Sequence, residues 1–542
     1  MVPVPARGKP SPSRETDVLV VGAGPVGMAM ALDLRYRGVD HLVVERRDGR
    51  TPLPGVSTIG PRSMELFRRW GLADRIRAAG WPPDHPLDVA WVTQVGGHEL
   101  HRFERGTAAT RPEFRHTPEP DQVCPAHWLQ PLLLAAVGRA PDGPLLLRHR
   151  LDAFTQDDDG VTAHVTDLDA GATTAIRARY LVACDGASSP VRRECGIGAP
   201  ARHEARVLRN ILFRAPELTD QLRARGRRVA MVYFLMLSNE LRYPLRSMDG
   251  RELFNLTVSG PALAADAKAL LRDAIAFPTP AEPVSDGEWH LTHWVADRYR
   301  HGRVFLVGDA AHTVAPSGGF GMNIGIGDAA DLGWKLAAQL RGWAGERLLD
   351  SYEAERRPVA LRSLEAANRH LRRTLSRELP ADLRADTPAG ARKRAEAAER
   401  LRASGASTEF DNPEIHFGYR YRSPLVVGDA GADVTPDWRP GSDPGTRAAH
   451  AWLRPGLSTL DVFGEAFVLL CFEDDPRGAR GVRAGFDARD VPLRVLECDD
   501  PELARLYACP FVLVRPDGHV AWRGERLPAE PAGLVDAVRG SA

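Results

Sequence analysis

Hydrophobic and polar positions follow three textures along the chain. Residues 18–21 are an unbroken apolar run between Asp17 and Gly22, which predicts a short strand buried on both faces. Apolar positions then recur at helical spacing from Met28 to Arg37, and a second apolar run, Leu42 to Val44, ends at Glu45. Strand, turn, helix and strand in that order predict a βαβ unit over about residues 17–45. Further helices are predicted over Pro61–Trp70 and Ala126–Val137. Strand-like pieces at 145–154, 160–168 and 174–184, with a turn at Asp157–Gly160, predict a hairpin or meander.

The texture changes over residues 205–295. Strand-like pieces at 207–215, 229–237 and 252–260 alternate with turns such as Met248–Arg251, predicting an inserted antiparallel sheet. At Arg303 the α/β texture returns, with a strand, a glycine-rich loop and a long helix. Residues 346–376 read as a charged amphipathic helix broken near Pro358, and 377–408 as helix grading into linker. Residues 410–542 have their own strands and helices and are long enough for a separate domain. The expected class is α/β: a Rossmann-like nucleotide-binding domain (16–80, 119–200 and 296–395), a middle domain built on the inserted antiparallel β-sheet (81–118 and 201–295) and a C-terminal α/β domain (410–542). Residues 1–15, polar and Pro-rich without an apolar core, read as a disordered tail and not a signal peptide.

Composition narrows the partners. Lys plus Arg and Asp plus Glu are 71 each, so the formal net charge is zero, and no basic cluster is interleaved with aromatics. Nucleic acid is therefore not expected as a partner; Arg223, Arg225, Arg227, Arg228, Arg372 and Arg373 read as solvated faces. No apolar segment approaches the roughly 20 residues that span a bilayer, so no membrane partner is expected. The six scattered cysteines form no CxxC, which argues against a zinc site or dithiol and fits free thiols in a cytoplasmic protein.

The chemistry concentrates at turns. Gly22, Gly24 and Gly27 follow the first strand and open the first helix, the arrangement that receives a pyrophosphate. Gly22 permits the tight turn, Gly24 lets the backbone approach the phosphates, and Gly27 lets helix and strand pack closely. Glu45 lies 23 residues after Gly22, near the roughly 20 expected of a carboxylate that accepts from a ribose hydroxyl. The strand 180–183 delivers Asp185 and Gly186 to a turn, where Asp185 serves either a ligand or the cap of the following helix. The strand 304–307 delivers Gly308 and Asp309, an acid placed for a ribityl hydroxyl. The loop 316–321 then enters a helix near Met322, where successive N–H groups form a positive cradle for an electron-rich group, which for a reduced flavin would be the anionic edge of its ring. His312 reads as a structural histidine rather than a base.

These three motifs, in order and spacing over residues 17 to about 360, resemble those of the single-component FAD-dependent aromatic hydroxylases, the flavoprotein monooxygenases related to p-hydroxybenzoate and phenol hydroxylases. Segments 57–72 and 316–337 resemble the hydroxylases of aromatic polyketide and other natural-product pathways, and 455–464 with 507–524 resembles the thioredoxin-like domain that some of them carry. Without a CxxC, that domain is expected to serve an interface rather than redox chemistry.

The resemblance implies site residues. Gly22, Gly24, Pro25, Val26 and Gly27 would contact the FAD diphosphate, Glu45 its adenosine ribose with Arg46 beside it, and Leu151 the adenine. Arg62 would sit near the entry of the flavin site. Asp185 and Gly186 would serve the motif that links FAD and the nicotinamide cofactor. Asp309 would bind the ribityl chain, Pro316 would lie over the reacting edge of the ring, and Gly319, Gly321, Met322 and Asn323 would hold its pyrimidine edge. Two departures stand out: Ala126 and Gln130 occupy the places of a usual flavin contact, and the segment before Arg62 lacks a usual charged residue.

The implied reaction uses NADPH or NADH and O2 to hydroxylate a phenolic or polycyclic aromatic substrate through a flavin 4a-hydroperoxide, in a monomer or homodimer. Baeyer–Villiger-type insertion into a related ketone, or a flavin-binding partner that sequesters a reactive intermediate, are the alternatives. The cofactor carries the reactivity, so no catalytic side chain is implied. Tyr233, Tyr243 and Arg246, on the inserted sheet, are candidates to line the substrate pocket, and sheet packing accounts for them equally.

Overall fold

A computed structural model describes residues 14–51, 55, 58–111, 114–138, 143–428 and 438–541. The expected tail at 1–13 lies outside them. Arg14 and Glu15, expected in that tail, instead pair with Ile176 and Arg177 at the start of the first strand.

Three sheets organise the chain. The first is built on parallel strands in the order Leu145–Leu147, His41–Glu45, Arg14–Val21, Thr173–Ala183 and Val304–Leu306. The hairpin His149–Gln156/Val161–Asp167 pairs with the first half of the long strand Thr173–Ala183. Val18, Leu19 and Val20 are fully buried, as a strand covered on both faces requires. The helix Pro25–Tyr36 covers one face and crosses the long helix Phe320–Leu340. Two glycines allow that approach: a Cβ at Gly325 would lie 2.6 Å from a Val26 methyl, and one at Gly333 2.1 Å from Asp33 Oδ2.

The second sheet has seven strands in the order Glu282–Leu291, Arg206–Arg214, Leu253–Val258, Pro244–Ser247, Val232–Leu235, Val89–Val92 and Glu99–Phe103. It departs from the expected all-antiparallel sheet at one junction: Val232–Leu235 runs parallel to Val89–Val92, because the latter arrives from a separate, earlier segment. Two expectations about the following helices are also corrected. Ser351–Leu375 is a single helix through Pro358. Pro358 and Ala354, whose carbonyl loses its i+4 donor, both sit on the exposed side, where water supplies the missing partner. The stretch read as helix grading into linker holds an ordered helix, Pro388–Ala403, whose Ala397 and Leu401 pack with Trp91 and Phe234 of the second sheet. Its Ala-rich sequence hides that face from a pattern search.

The third sheet orders Leu493–Glu497, Phe467–Cys471, Phe511–Val514 and Val520–Gly524, one parallel and two antiparallel pairs. One face shares a core with Trp334 of the long helix, and Phe467 meets Trp334 edge-on at 6.1 Å. Cys184, Cys195, Cys471, Cys498 and Cys509 are free thiols. Among the described residues no helix is long and apolar enough to cross a membrane, and no group of His, Cys, Asp and Glu is arranged to hold a metal.

Candidate flavin and substrate site

The dinucleotide turn separates two kinds of glycine. Gly22 has φ +104°, and a Cβ there would lie 2.4 Å from the Cys184 carbonyl oxygen; at Gly27 it would lie 1.9 Å from Gly22 O. Packing of the protein alone demands both. A Cβ at Gly24 meets nothing within 4 Å. Gly24 caps the helix without a side-chain hydrogen bond, and Pro25 occupies the first turn. The first-turn amides are thus left to a ligand, and the open face at Gly24 is where phosphates would approach.

Glu45 Oε2 accepts from Ala23 N at 2.8 Å and Oε1 from Arg47 N at 2.8 Å, which fixes the carboxylate beside the turn; Arg46 is exposed. Gln130 Nε2 donates to Ala23 O at 2.6 Å. The residue that marked a departure from the family pattern therefore clamps the dinucleotide loop. Leu151 is half-buried on the hairpin strand His149–Gln156.

Asp185 adjoins Gly22. Its Oδ2 accepts from Val191 N at 3.2 Å, while Ser189 Oγ accepts from Arg192 N at 2.9 Å, so Ser189 is the helix cap and Asp185 an auxiliary. Asp185 Oδ1 is buried with no partner, and burial pushes the carboxyl up. An orphaned buried acceptor beside the turn fits a ligand hydroxyl. Gly186 has φ +87° and lets the chain turn there.

The second strand end opens onto a cavity of about 770 Å³, within the usual range for organic ligands. Asp309 projects into it. The residue is exposed to that cavity, while the dense protein around it pushes the carboxyl up, with His312 acting in the opposite sense. Pro316, Gly319, Gly321 and Met322 line the same wall. Gly318 and Gly319 have φ +86° and +66°, and Gly319 N donates to Pro316 O at 2.9 Å, forming the turn into Phe320–Leu340. That helix also starts without a side-chain cap. Asn323 knits two loops: Oδ1 accepts from Gly60 N at 2.7 Å, and Nδ2 donates to Thr58 O at 3.0 Å and Gly319 O at 2.6 Å.

Beneath Asp309 lies Asp328, fully buried. Its Oδ2 accepts from Gly308 N at 3.2 Å and pairs with His312 Nε2 at 2.8 Å, and its Oδ1 accepts from Arg356 Nε at 2.7 Å. His312 is thereby a buried structural partner on the far side of the turn from the cavity.

The opposite wall comes from the second sheet and residues 409–417. Phe103, Met231, Phe410 and Phe417 supply apolar surface, and Arg246, Glu409 and Asp411 supply charge. Among the described residues the Arg246 guanidinium has no hydrogen-bonding partner; the counter-charge it feels is Glu409, which also accepts from the Gly318 amide. His416 shares this wall, and burial pulls its imidazole down to about 4, so it is neutral at pH 7. At the rim, Asp121 binds Arg105 through both oxygens at 3.0 and 2.9 Å and Arg111 at 3.3 Å.

Three sequence expectations are corrected. Arg62 points away from the cavity that Gly60 and Pro61 line, donating to Glu65 at 2.9 Å and to Asp517 O at 2.9 Å; one helical step turns it to the other side. Tyr233 pairs with Leu245, and its hydroxyl accepts from Ala230 N at 2.8 Å in the core of the far face. Val232 pairs with Arg246, so Tyr233 and Arg246 face opposite ways by the two-residue period of a strand. Tyr243 is buried in the core and does not line the cavity. Sequence reading took Gln130 only for a departure and missed Asp328, Arg356, Glu409 and His416. Acids and arginines at helical spacing read as solvated faces, and residues 409–417 carry no motif.

The sequence and fold match known proteins. Residues 15–367 match the FAD binding domain family, and 442–541 the aromatic-ring hydroxylase C-terminal family. Tetracenomycin A2 monooxygenase-dioxygenase of Streptomyces glaucescens is 33% identical over 572 residues, covering 96% of this chain and 95% of the relative. Aklavinone 12-hydroxylase of Streptomyces peucetius is 33% identical over 487 residues, covering 84% and 91%. The rebeccamycin biosynthetic enzyme RebC, solved with reduced flavin, is 60% identical, with a TM-score of 0.94, over 98% of this chain and all of that one. With Gly24 open to phosphates, an orphaned Asp185 oxygen and Asp309 in the cavity, the chain belongs to the FAD-dependent aromatic-ring hydroxylases, a family of flavoprotein monooxygenases.

Proposed function

We propose that the enzyme uses NAD(P)H and O2 to place one oxygen atom on a planar polycyclic aromatic substrate that carries an acidic group. The other oxygen leaves as water, and the nicotinamide is oxidised. One observation carries the reading: Arg246 stands in an aromatic-walled cavity with no hydrogen-bonding partner among the described residues, opposite the loop Pro316–Gly321. A half-buried guanidinium that faces an aromatic-walled cavity without a protein partner favours an anionic ligand group. RebC, similar over nearly the whole chain, has been solved with bound 7-carboxy-K252c, and aklavinone-11 hydroxylase, 31% identical with a TM-score of 0.81 over 98% of this chain and all of that one, with FAD and aklavinone. Both likenesses support an extended ring system, and the first supports the acid.

Bound FAD supplies electron transfer from the nicotinamide and activation of dioxygen. Gly24, Val26 and Gly27 would hold its diphosphate by backbone N–H groups, on the turn that Gly22 and Pro25 shape, with Glu45 and Arg46 at the ribose, Leu151 at the adenine, and Asp185, Gly186 and Asp309 at sugar and ribityl hydroxyls. Pro316, Gly319 and the amides of Gly321, Met322 and Asn323 would face the ring. Arg246 orients the substrate by its acid, and Phe103, Met231, Phe410 and Phe417 exclude water. Neutral His416 can accept a hydrogen bond from a ring hydroxyl or N–H group.

The test is turnover of 7-carboxy-K252c with NAD(P)H under ¹⁸O₂. One labelled oxygen in the organic product is expected. Flavin reduction without label would overturn monooxygenation.

A further inference from the structure

The C-terminal region reaches the flavin wall through two adjacent residues of the helix Ser351–Leu375. Arg515, on the turn after Phe511–Val514, donates to Glu355 at 2.6 and 2.9 Å, and Ser423 Oγ donates to Glu355 at 2.6 Å. Lys335 Nζ bridges Glu355 and Asp331 at 2.7 Å each, and Asp517 pairs with Arg515 at 2.6 Å. The next residue, Arg356, donates to the Tyr421 hydroxyl at 3.1 Å, to Ile324 O at 3.0 Å and to Asp328 at 2.7 Å. The Arg515 guanidinium stacks on the Tyr421 ring with 5.1 Å to its centroid.

Arg356, Asp328, Arg515, Glu355 and Lys335 are all essentially inaccessible to solvent. Three carboxylates (Asp331, Glu355 and Asp517) surround two cations (Lys335 and Arg515), and burial pushes Asp331 up, which relieves the excess negative charge. Buried ion clusters add little net stability compared with apolar packing but hold one geometry strictly, because each misplaced member is left unpaired. The geometry held here ends at Gly308 N and His312, on either side of Asp309 in sequence.

We infer that the C-terminal domain is a positioning element for the flavin site: Tyr421 and Arg515 seat Arg356, Arg356 seats Asp328, and Asp328 fixes the turn that presents Asp309 to FAD. Tyr421, Arg515, Arg356 and Asp328 are thus positioning residues. The inference rests on FAD occupying the cavity beside Asp309. It gives the third sheet a task in an enzyme whose C-terminal cysteines form no CxxC.

The test is FAD titration of apo-protein, read by flavin fluorescence and visible circular dichroism, alongside the thermal midpoint of the apo-protein. Tyr421→Phe deletes only the hydroxyl that receives Arg356. It should weaken FAD binding about fivefold and alter the flavin dichroism, with the apo midpoint within about 2 °C of the parent. Arg356→Lys should weaken FAD more strongly, because an ammonium cannot serve Asp328, Ile324 O and Tyr421 in the same plane. Asp461→Asn is the control: it weakens the ion pair with Arg68, another contact of the C-terminal region, off this route, and should leave FAD affinity unchanged. Unchanged affinity and dichroism in Tyr421→Phe, or an equal loss in Asp461→Asn, would overturn the inference. Parent protein that binds no FAD would instead overturn the cofactor assignment.

Discussion

Glu65 and Arg447 meet as a buried two-point ion pair between the helix Pro61–Arg69 and the C-terminal region, with Nη2–Oε1 at 2.7 Å and Nε–Oε2 at 3.1 Å. Arg62 adds a contact to the same carboxylate at 2.9 Å. Arg447 and Arg62 together hold the Glu65 carboxyl below its usual range, against a burial effect of the opposite sign. Removing one member of such a pair strands the other charge and costs about 3–5 kcal/mol. Arg447→Met should therefore lower the thermal midpoint by about 5 °C or more. Arg402→Ala, which removes the exposed pair with Glu399, should move it by under about 1 °C. Equal shifts in a calorimetric comparison would contradict the buried-pair account.

Gly24 and Gly27 should separate folding from cofactor binding. Gly27→Ala forces a methyl onto the Gly22 carbonyl and should yield little soluble protein. Gly24→Ala meets open space and an ordinary extended backbone, so it should fold with an unchanged apo midpoint. Its methyl lies where phosphates would approach, and FAD affinity should fall by about tenfold or more. Tight FAD binding by Gly24→Ala, measured by equilibrium dialysis, would place the diphosphate elsewhere.

Stability should decline as the solution is acidified from pH 7 to 5. Burial pulls His370, His450 and His519 down to about 4, below an unfolded value near 6.5. Between those limits the unfolded chain binds more protons than the folded one, so the contribution is full above pH 6.5 and is lost as pH falls toward 4. At pH 5.5 each site costs on the order of 1 kcal/mol. Thermal scans from pH 7.5 to 5 should show a falling midpoint, and His450→Gln should shallow the slope. A midpoint that rises toward pH 5 would contradict the sign.

The parts of the fold that repeat a local rule were legible in the chain. The run Val18–Val21, the glycines after it and the acid at Glu45 each have one steric or electrostatic reason, and the strand, turn and helix follow. The placement of Gly308 and Asp309 at a strand end was readable for the same cause. Partners fixed only by long-range packing were not. Arg62 sits beside Pro61 in sequence but points toward Asp517, and nothing within its helix encodes that. Tyr233 and Arg246 fall on opposite faces, because strand register rather than residue type decides which one meets the cavity. The continuity of Ser351–Leu375 depended on Pro358 lying on the exposed side, which emerges only after the helix has docked.

Arg246 tests the substrate reading most directly. Equilibrium binding of the carboxylated polycyclic aromatic proposed above should be compared with that of its decarboxylated counterpart, in the parent holoenzyme and in Arg246→Ala. The account predicts at least about tenfold tighter binding of the acid by the parent, and loss of that preference in the variant. Equal affinities in the parent, or an undiminished preference in Arg246→Ala, would contradict it.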